Sequence, residues 1–151
     1  MKIMKATGII RRTDDLGRVV IPREIRRTLR IREGDPLEIF IEKDCVCFKK
    51  YSVLGSLDEE TLRIVQIMAQ RTFQHQVAIY DDVCKISGPS SYDSHVDVSW
   101  EENRTPFKYK DRGVYPIVSD GELYGYICCP ESDMGAEMTM IVRYLCAVVG
   151  D

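Results

Sequence analysis

Between Arg11 and Leu29 the chain reads RRTDDLGRVVIPREIRRTL, which sets six arginines around one tight turn and one short helix, beside strands that are apolar on both faces. Thr7 to Arg12 alternates as a strand, with Thr7, Ile9 and Arg11 on one side and Gly8, Ile10 and Arg12 on the other. Val19, Val20 and Ile21 repeat the pattern of apolar side chains facing both ways. Such strands need cover on both faces. A segment of roughly 50 residues rarely buries enough apolar surface alone, and this one has neither a disulfide framework nor a recognisable metal site to compensate. The expected cover is a second copy of the chain.

The local chemistry between those strands is explicit. Asp14-Asp15-Leu16-Gly17 supplies a side-chain acceptor early and a residue tolerant of positive φ late, which is turn chemistry. Arg18 to Ile21 resumes the strand, and Pro22 ends it in a way that suits a first helical turn. In the helix that follows, Arg23, Arg26, Arg27 and Arg30 fall at i, i+3, i+4 and i+7 and share a face, while Ile25 and Leu29 anchor the other. Charged runs are usually solvated helix faces. Here Glu24 is the lone acid in the helix, and Arg11, Arg12 and Arg18 add charge from the hairpin. A guanidinium donates in pairs from a planar fork and stays charged, so this surface suits phosphate, and a nucleic-acid backbone is the expected partner. After a turn at Glu33-Gly34-Asp35-Pro36, Leu37 to Ile41 and Val46 to Tyr51 are expected to pair as a second hairpin across Glu42-Lys43-Asp44.

Residues 4 to 52 resemble the DNA-binding domain of the AbrB family of bacterial transcription regulators. The resemblance is carried by the Thr7-Gly8-Ile9 strand, the DDLGRVVIP turn and strand, the EIRRTL helix and the closing Lys49-Lys50-Tyr51. It implies a swapped-hairpin fold, in which two chains interleave β-hairpins into one dimer that presents arginines to double-stranded DNA. By motif position it assigns DNA contacts to Arg11, Arg18, Arg26 and Arg27, and a second basic position to Arg12. Arg23 lies where the family varies. The resemblance also implies a regulator without catalytic residues, cofactor or metal, cytoplasmic and nucleoid-associated in a bacterium. Met4 matches the family's usual start, so Met1-Lys2-Ile3 reads as an extension.

Charge divides the chain in two. Residues 1 to 52 hold 13 Lys and Arg against 8 Asp and Glu, and residues 53 to 151 hold 8 against 16. A basic head of net +5 and an acidic body of net −8 are therefore expected as separate domains, 1–52 and 56–151, joined by a linker at 53–55. An acidic body does not itself hold DNA. No apolar run is long enough to span a bilayer, and the first residues lack a signal peptide's apolar core.

In the second domain, Ser56 to Glu59 has capping-box spacing and predicts a helix from Leu57 to about Phe73, with Leu57, Thr61, Ile64, Val65, Met68 and Thr72 on one face. Strands are expected at Val77 to Tyr80, Cys84 to Ser87, Val114 to Val118 and Leu123 to Cys128, the last two joined through Asp120-Gly121, before a closing helix from Gly135 to Val149. This order resembles a GAF-like sensor domain. The fold expected overall is an all-β swapped-hairpin N-terminal domain with a short helix, followed by an α+β GAF-like domain with an antiparallel sheet and flanking helices. The apolar helices of the second domain are expected to join dimers into a homotetramer.

Gly88 to Gly113 is long and polar, yet contains the lone tryptophan. One reading is a lid over a small-molecule effector, with Trp100 and Phe107 as walls and Arg104 or Arg112 meeting an anion. The other is an irregular surface segment pinned by Trp100. His75, after a helix end, is expected to act as a local cap. The cysteines lack zinc-ribbon or C-x-x-C spacing and read as small core residues. Two other functions fit parts of the chain. One is a GAF-type thiol redox enzyme of the methionine sulfoxide reductase kind, using Cys84, Cys128 and Cys129. The other is an antitoxin, since related swapped-hairpin proteins pair with toxins.

Overall fold

The structure, a computed structural model, describes residues 4–150. The Met1-Lys2-Ile3 extension lies outside the described residues. The chain divides into two compact units, 1–35 and 36–151. The hairpin placed in the first domain from sequence thus groups with the second unit.

In the first unit the Asp14 turn forms as its residues dictate. Gly17 sits at φ +76°, its N–H donates to the Asp14 carbonyl at 3.1 Å, and the Asp14 N–H donates to the Arg18 carbonyl at 3.0 Å. The strands expected at Thr7–Arg12 and Arg18–Ile21 do not form within the single chain, because every residue from Met4 to Val20 is exposed. A two-stranded ribbon with nothing packed on it is marginal in water. Helix α1, Arg23–Thr28, follows Pro22. It stops short of Arg30, which takes φ +53° just past the helix end. There the Ile31 N–H reaches back to the Arg26 carbonyl at 2.8 Å and the Arg30 N–H to the Arg27 carbonyl at 3.2 Å, the paired bonds that close a helix C-terminus. Arg30 therefore leaves the stripe that spacing assigned to it.

The second unit opens with β1 (Leu37–Glu42) and β2 (Cys45–Lys50), paired from Leu37↔Lys50 to Glu42↔Cys45. Glu42 ends β1, so the turn is Lys43-Asp44. The stretch expected as a linker is structural instead: Leu54–Ser56 make a 3-10 turn, and Leu54 is fully buried. The Ser56 hydroxyl donates to the Val53 carbonyl within that turn. Asp58, and not Ser56, caps α2 (Glu59–Phe73), accepting from the Thr61 N–H at 2.8 Å. A carboxylate at the N-cap satisfies an orphan N–H and suits the positive helix end.

Five strands follow: β3 (Ala78–Tyr80), β4 (Lys85–Ser87), β5 (Phe107–Tyr109), β6 (Arg112–Ser119) and β7 (Glu122–Pro130), then α3 (Ala136–Gly150). They form an antiparallel sheet in the order β4-β3-β7-β6-β5. β5 was not expected from sequence. The β6–β7 hairpin turns at Asp120-Gly121, both at positive φ.

Strand alternation sorts the interior into two layers. Val77, Ile79, Tyr115, Ile117, Ile127 and Cys129 pack with Val65 and Ala69 of α2 and Met138, Ile141 and Leu145 of α3. Ala78, Tyr80, Val114, Tyr126 and Cys128 point the other way and pack with Val96 and Trp100. The helices thus cover one sheet face and the polar-looking stretch after β4 covers the other. Two contacts lock the helix side. The buried Gln66 amide donates to the Val77 carbonyl and accepts its N–H, at 2.9 and 3.0 Å. Gly125 passes so close to β3 that a Cβ there would lie 2.0 Å from the Tyr80 carbonyl oxygen and 2.5 Å from the Leu54 side chain. No helix among the described residues is long and apolar enough to cross a membrane.

Candidate functional site

The six arginines picked from sequence, Arg11, Arg12, Arg18, Arg23, Arg26 and Arg27, are all exposed in the first unit. The turn prepares one of them. Arg18 Nε donates to Asp14 Oδ2 at 2.7 Å while its backbone N–H donates to Asp14 Oδ1 at 2.8 Å. The Arg18 backbone bond, then its side chain, hold the Asp14 carboxyl below its usual range. Asp14 therefore fixes the guanidinium's direction, a role that turn chemistry alone did not reveal but the i, i+4 spacing to Arg18 could have. Arg26 and Arg27 project from the last turn of α1.

The second unit contains a cleft of about 230 Å³ on the Trp100 side of the sheet, lined by Tyr80, Tyr92, Asp93, Trp100, Tyr109, Lys110, Asp111, Arg112 and Cys128. Trp100 rides on a 3-10 turn, Val98–Glu102, whose N-cap Asp97 accepts from the Ser99 N–H. Its ring meets Tyr80, Tyr109 and Tyr126 edge to face, at 5.6, 5.2 and 5.4 Å between centres. Arg112 lies 3.7 Å over the Tyr92 ring and donates to the Ser91 carbonyl at 3.1 Å. Tyr80 donates to the Asp93 carbonyl at 2.8 Å, and burial pushes its phenol well above the usual range. Burial likewise lifts Tyr92 to about 12.

Of the ligand residues expected from sequence, Trp100 and Arg112 come together here. Phe107 touches Trp100 edge to face at 6.2 Å but stands outside the lining. Arg104 is also outside; its guanidinium donates to the Glu101 and Asn103 carbonyls at the end of the 3-10 turn. Tyr80 lies on β3, outside the Gly88–Gly113 stretch, and Tyr92 lies within it but carries no periodicity that marks a wall.

Cys128 and Cys129 are buried as expected, and burial pushes both thiols up to about 12. They stay protonated near neutrality and are poor nucleophiles. Cys45 and Cys47 correct the core reading, since they lie half-buried on the β2 hairpin. No group of three or more metal-ligating side chains occurs among the described residues. His75 does not cap α2. Gln74 closes the helix in a left-handed conformation, and His75 Nε2 lies 2.5 Å from Asp133 Oδ2.

An exposed arginine array lies on the N-terminal unit, and an α+β unit with its own core follows it. The N-terminal part matches, over residues 10–44, the family described as antidote-toxin recognition MazE, bacterial antitoxin. The chain is 55% identical over 93 residues to stage V sporulation protein T of Bacillus subtilis, covering 60% of this chain and 52% of that protein. It is 46% identical over 67 residues to the transition state regulatory protein AbrB of the same organism, covering 40% of this chain and 70% of AbrB. The solution structure of the N-domain of the transcription factor abrB is 56% identical, with a TM-score of 0.31, over 33% of this chain and 96% of that one. A refined solution structure of the N-terminal DNA recognition domain of the Bacillus subtilis transition-state regulator AbrB is 57% identical, with a TM-score of 0.29, over 32% of this chain and 92% of that one. The chain belongs to the AbrB family and stands close to the sporulation protein, of which it spans about half the length.

Proposed function

We propose that this protein is a DNA-binding transcription regulator whose arginines Arg11, Arg12, Arg18, Arg23, Arg26 and Arg27 hold double-stranded DNA from a swapped-hairpin dimer. The observation that carries the reading is the exposure of this whole array in a unit that also exposes Ile10 at 87% and Val20 at 72%. Charge of that density favours a phosphate backbone, and the apolar side chains favour a second copy as their cover. The relatives' descriptions as a transition state regulatory protein and as a DNA recognition domain support the same reading. Specificity then rests on DNA shape as much as on base edges. The acidic second unit, read as GAF-like, joins dimers and senses a small molecule.

Fluorescence anisotropy on a labelled duplex tests the electrostatic part. With Arg11, Arg18, Arg26 and Arg27 of each subunit of a dimer as the principal contacts, to phosphate or bases, log K is expected to fall against log salt with a slope of roughly −4 to −7. A slope near zero would sink it. Arg26→Ala is expected to weaken binding without altering the thermal transition.

The antitoxin reading draws on the family matched at residues 10–44. That match covers the segment assigned here to DNA and dimerisation. Toxin-binding tails are usually disordered, whereas the C-terminal half here folds around Val65, Ile127 and Leu145.

A further inference from the structure

The β1–β2 ribbon stands apart from both cores of the second unit. None of its apolar residues belongs to either buried cluster, and its strands pack closely only on each other. The register Leu37↔Lys50, Ile39↔Phe48 and Ile41↔Val46 puts these six residues on one face. Ile39, Ile41, Val46 and Phe48 are 63%, 82%, 62% and 47% exposed there. A two-stranded ribbon without a packed face is marginal, so the direction it points depends on what holds its base.

The base is held by charge. Lys50, the last residue of β2, forms an ion pair with Asp82, and only 15% of the lysine side chain is exposed against 33% of the aspartate. Asp82 sits on a fixed turn. The buried Asp81 carboxylate accepts the Val83 and Cys84 N–H groups at 2.8 and 2.7 Å, and the Asp81 N–H donates to the Cys84 carbonyl at 3.1 Å. Asp81 directly follows β3, which lies between β4 and β7 in the sheet. Ion pairs between two exposed side chains contribute little, but here the lysine is largely removed from water and the turn carrying the acid is already ordered. Because Lys50 stands in the same row as the exposed apolar residues, the place where Asp82 holds it sets the tilt of that face.

We propose that Lys50 is a positioning residue: through Asp82 it holds the ribbon's apolar face at the angle on which a second copy docks, and it does not itself touch DNA. This rests on the dimer of the proposed function and adds the part of the second unit that aligns it. A lysine on phosphate loses grip when its own charge is removed, whatever becomes of a neighbouring acid. A positioning pair loses it from either partner and recovers it when the charges are exchanged.

The test compares, in the full chain, Lys50→Gln, Asp82→Asn and the exchange of Lys50→Glu with Asp82→Lys. Amide hydrogen exchange comes first, because it needs no DNA. Each single variant is expected to speed exchange across Leu37–Lys50 by about threefold or more while β3, β6 and β7 keep theirs, which also shows that the unit is folded. Dimer dissociation by light scattering and duplex Kd should each rise about fivefold in both single variants, and the exchanged pair should return to within about twofold of the parent. If Lys50→Gln weakens duplex binding while Asp82→Asn leaves it unchanged, Lys50 is a DNA contact and the proposal is overturned. Unchanged ribbon exchange in both single variants overturns it equally. A parent chain that dimerises but binds no duplex defeats the DNA reading alone, since ribbon exchange and dimer mass still decide what the pair does.

Discussion

The Asp97 carboxylate accepts from the Tyr109 hydroxyl and from both the hydroxyl and the N–H of Ser99, and these bonds, the Tyr109 one first, lower its pKa from 3.8 to about 2. A depressed carboxyl stabilises the fold above its unfolded value and loses that contribution as pH falls through its folded value. The Trp100 environment is therefore expected to loosen reversibly on acidification from about 4 to about 2, followed by emission, and Asp97→Asn should flatten that step. If the variant titrates like the parent, the Tyr109 bond is not what holds the turn. Cysteine chemistry is a second residue-scale matter. With Cys128 and Cys129 held as buried thiols, alkylation at mild pH should label Cys45, Cys47, Cys84 or Cys146 first, and peptide mapping would read the order. Early labelling of Cys128 would reopen the redox reading. Arginine exposure was legible in the sequence because charge that dense has nowhere else to go. The ring set around Trp100 was not, since Tyr80 and Tyr126 reach it from β3 and β7, a tertiary pairing no local window contains.

Elements were legible where period and turn chemistry agreed. Asp120-Gly121 between two apolar runs marked the β6–β7 hairpin, and the apolar spacing marked α2 and α3 to within a residue or two. Three-residue β5 was too short to show a period, and the N-terminal strands failed because their pattern describes surfaces that another layer must cover. The supposed linker failed for a different reason: a lone leucine in a Gly- and Ser-containing stretch carries no periodicity, so its burial is visible only in three dimensions. Leu54→Ala consequently discriminates. Fully buried, it should cost about 3 kcal/mol by denaturant melt, whereas a linker residue would cost a few tenths. Gln66→Leu should cost roughly 2 kcal/mol, because it leaves the buried Val77 N–H and carbonyl unmet. A fragment beginning at Ser56 should be markedly less stable than one beginning at Ser52.

For the whole molecule, the proposed function gives grip to the basic first 52 residues and assembly to the acidic remainder. Light scattering of the full chain is expected to give the mass of a tetramer, and a duplex carrying two sites should bind more tightly than one carrying a single site through effective concentration. A dimer with equal affinity for both duplexes would mean that α2 and α3 spend their apolar surface within one subunit. The five-stranded sheet also has a bearing on how chains can meet. Both of its margins are closed by three-residue strands, β4 and β5, which offer too few free N–H and C=O groups to template a neighbour. The β1–β2 ribbon is the opposite, with six-residue strands whose outer rows of N–H and C=O groups flank Ile39, Ile41 and Val46 in solvent. A second copy is therefore expected to pair at that ribbon and to spare the larger sheet, so Ile41→Lys should weaken dimerisation, read as a lower mass by light scattering, without lowering the stability of the second unit's core.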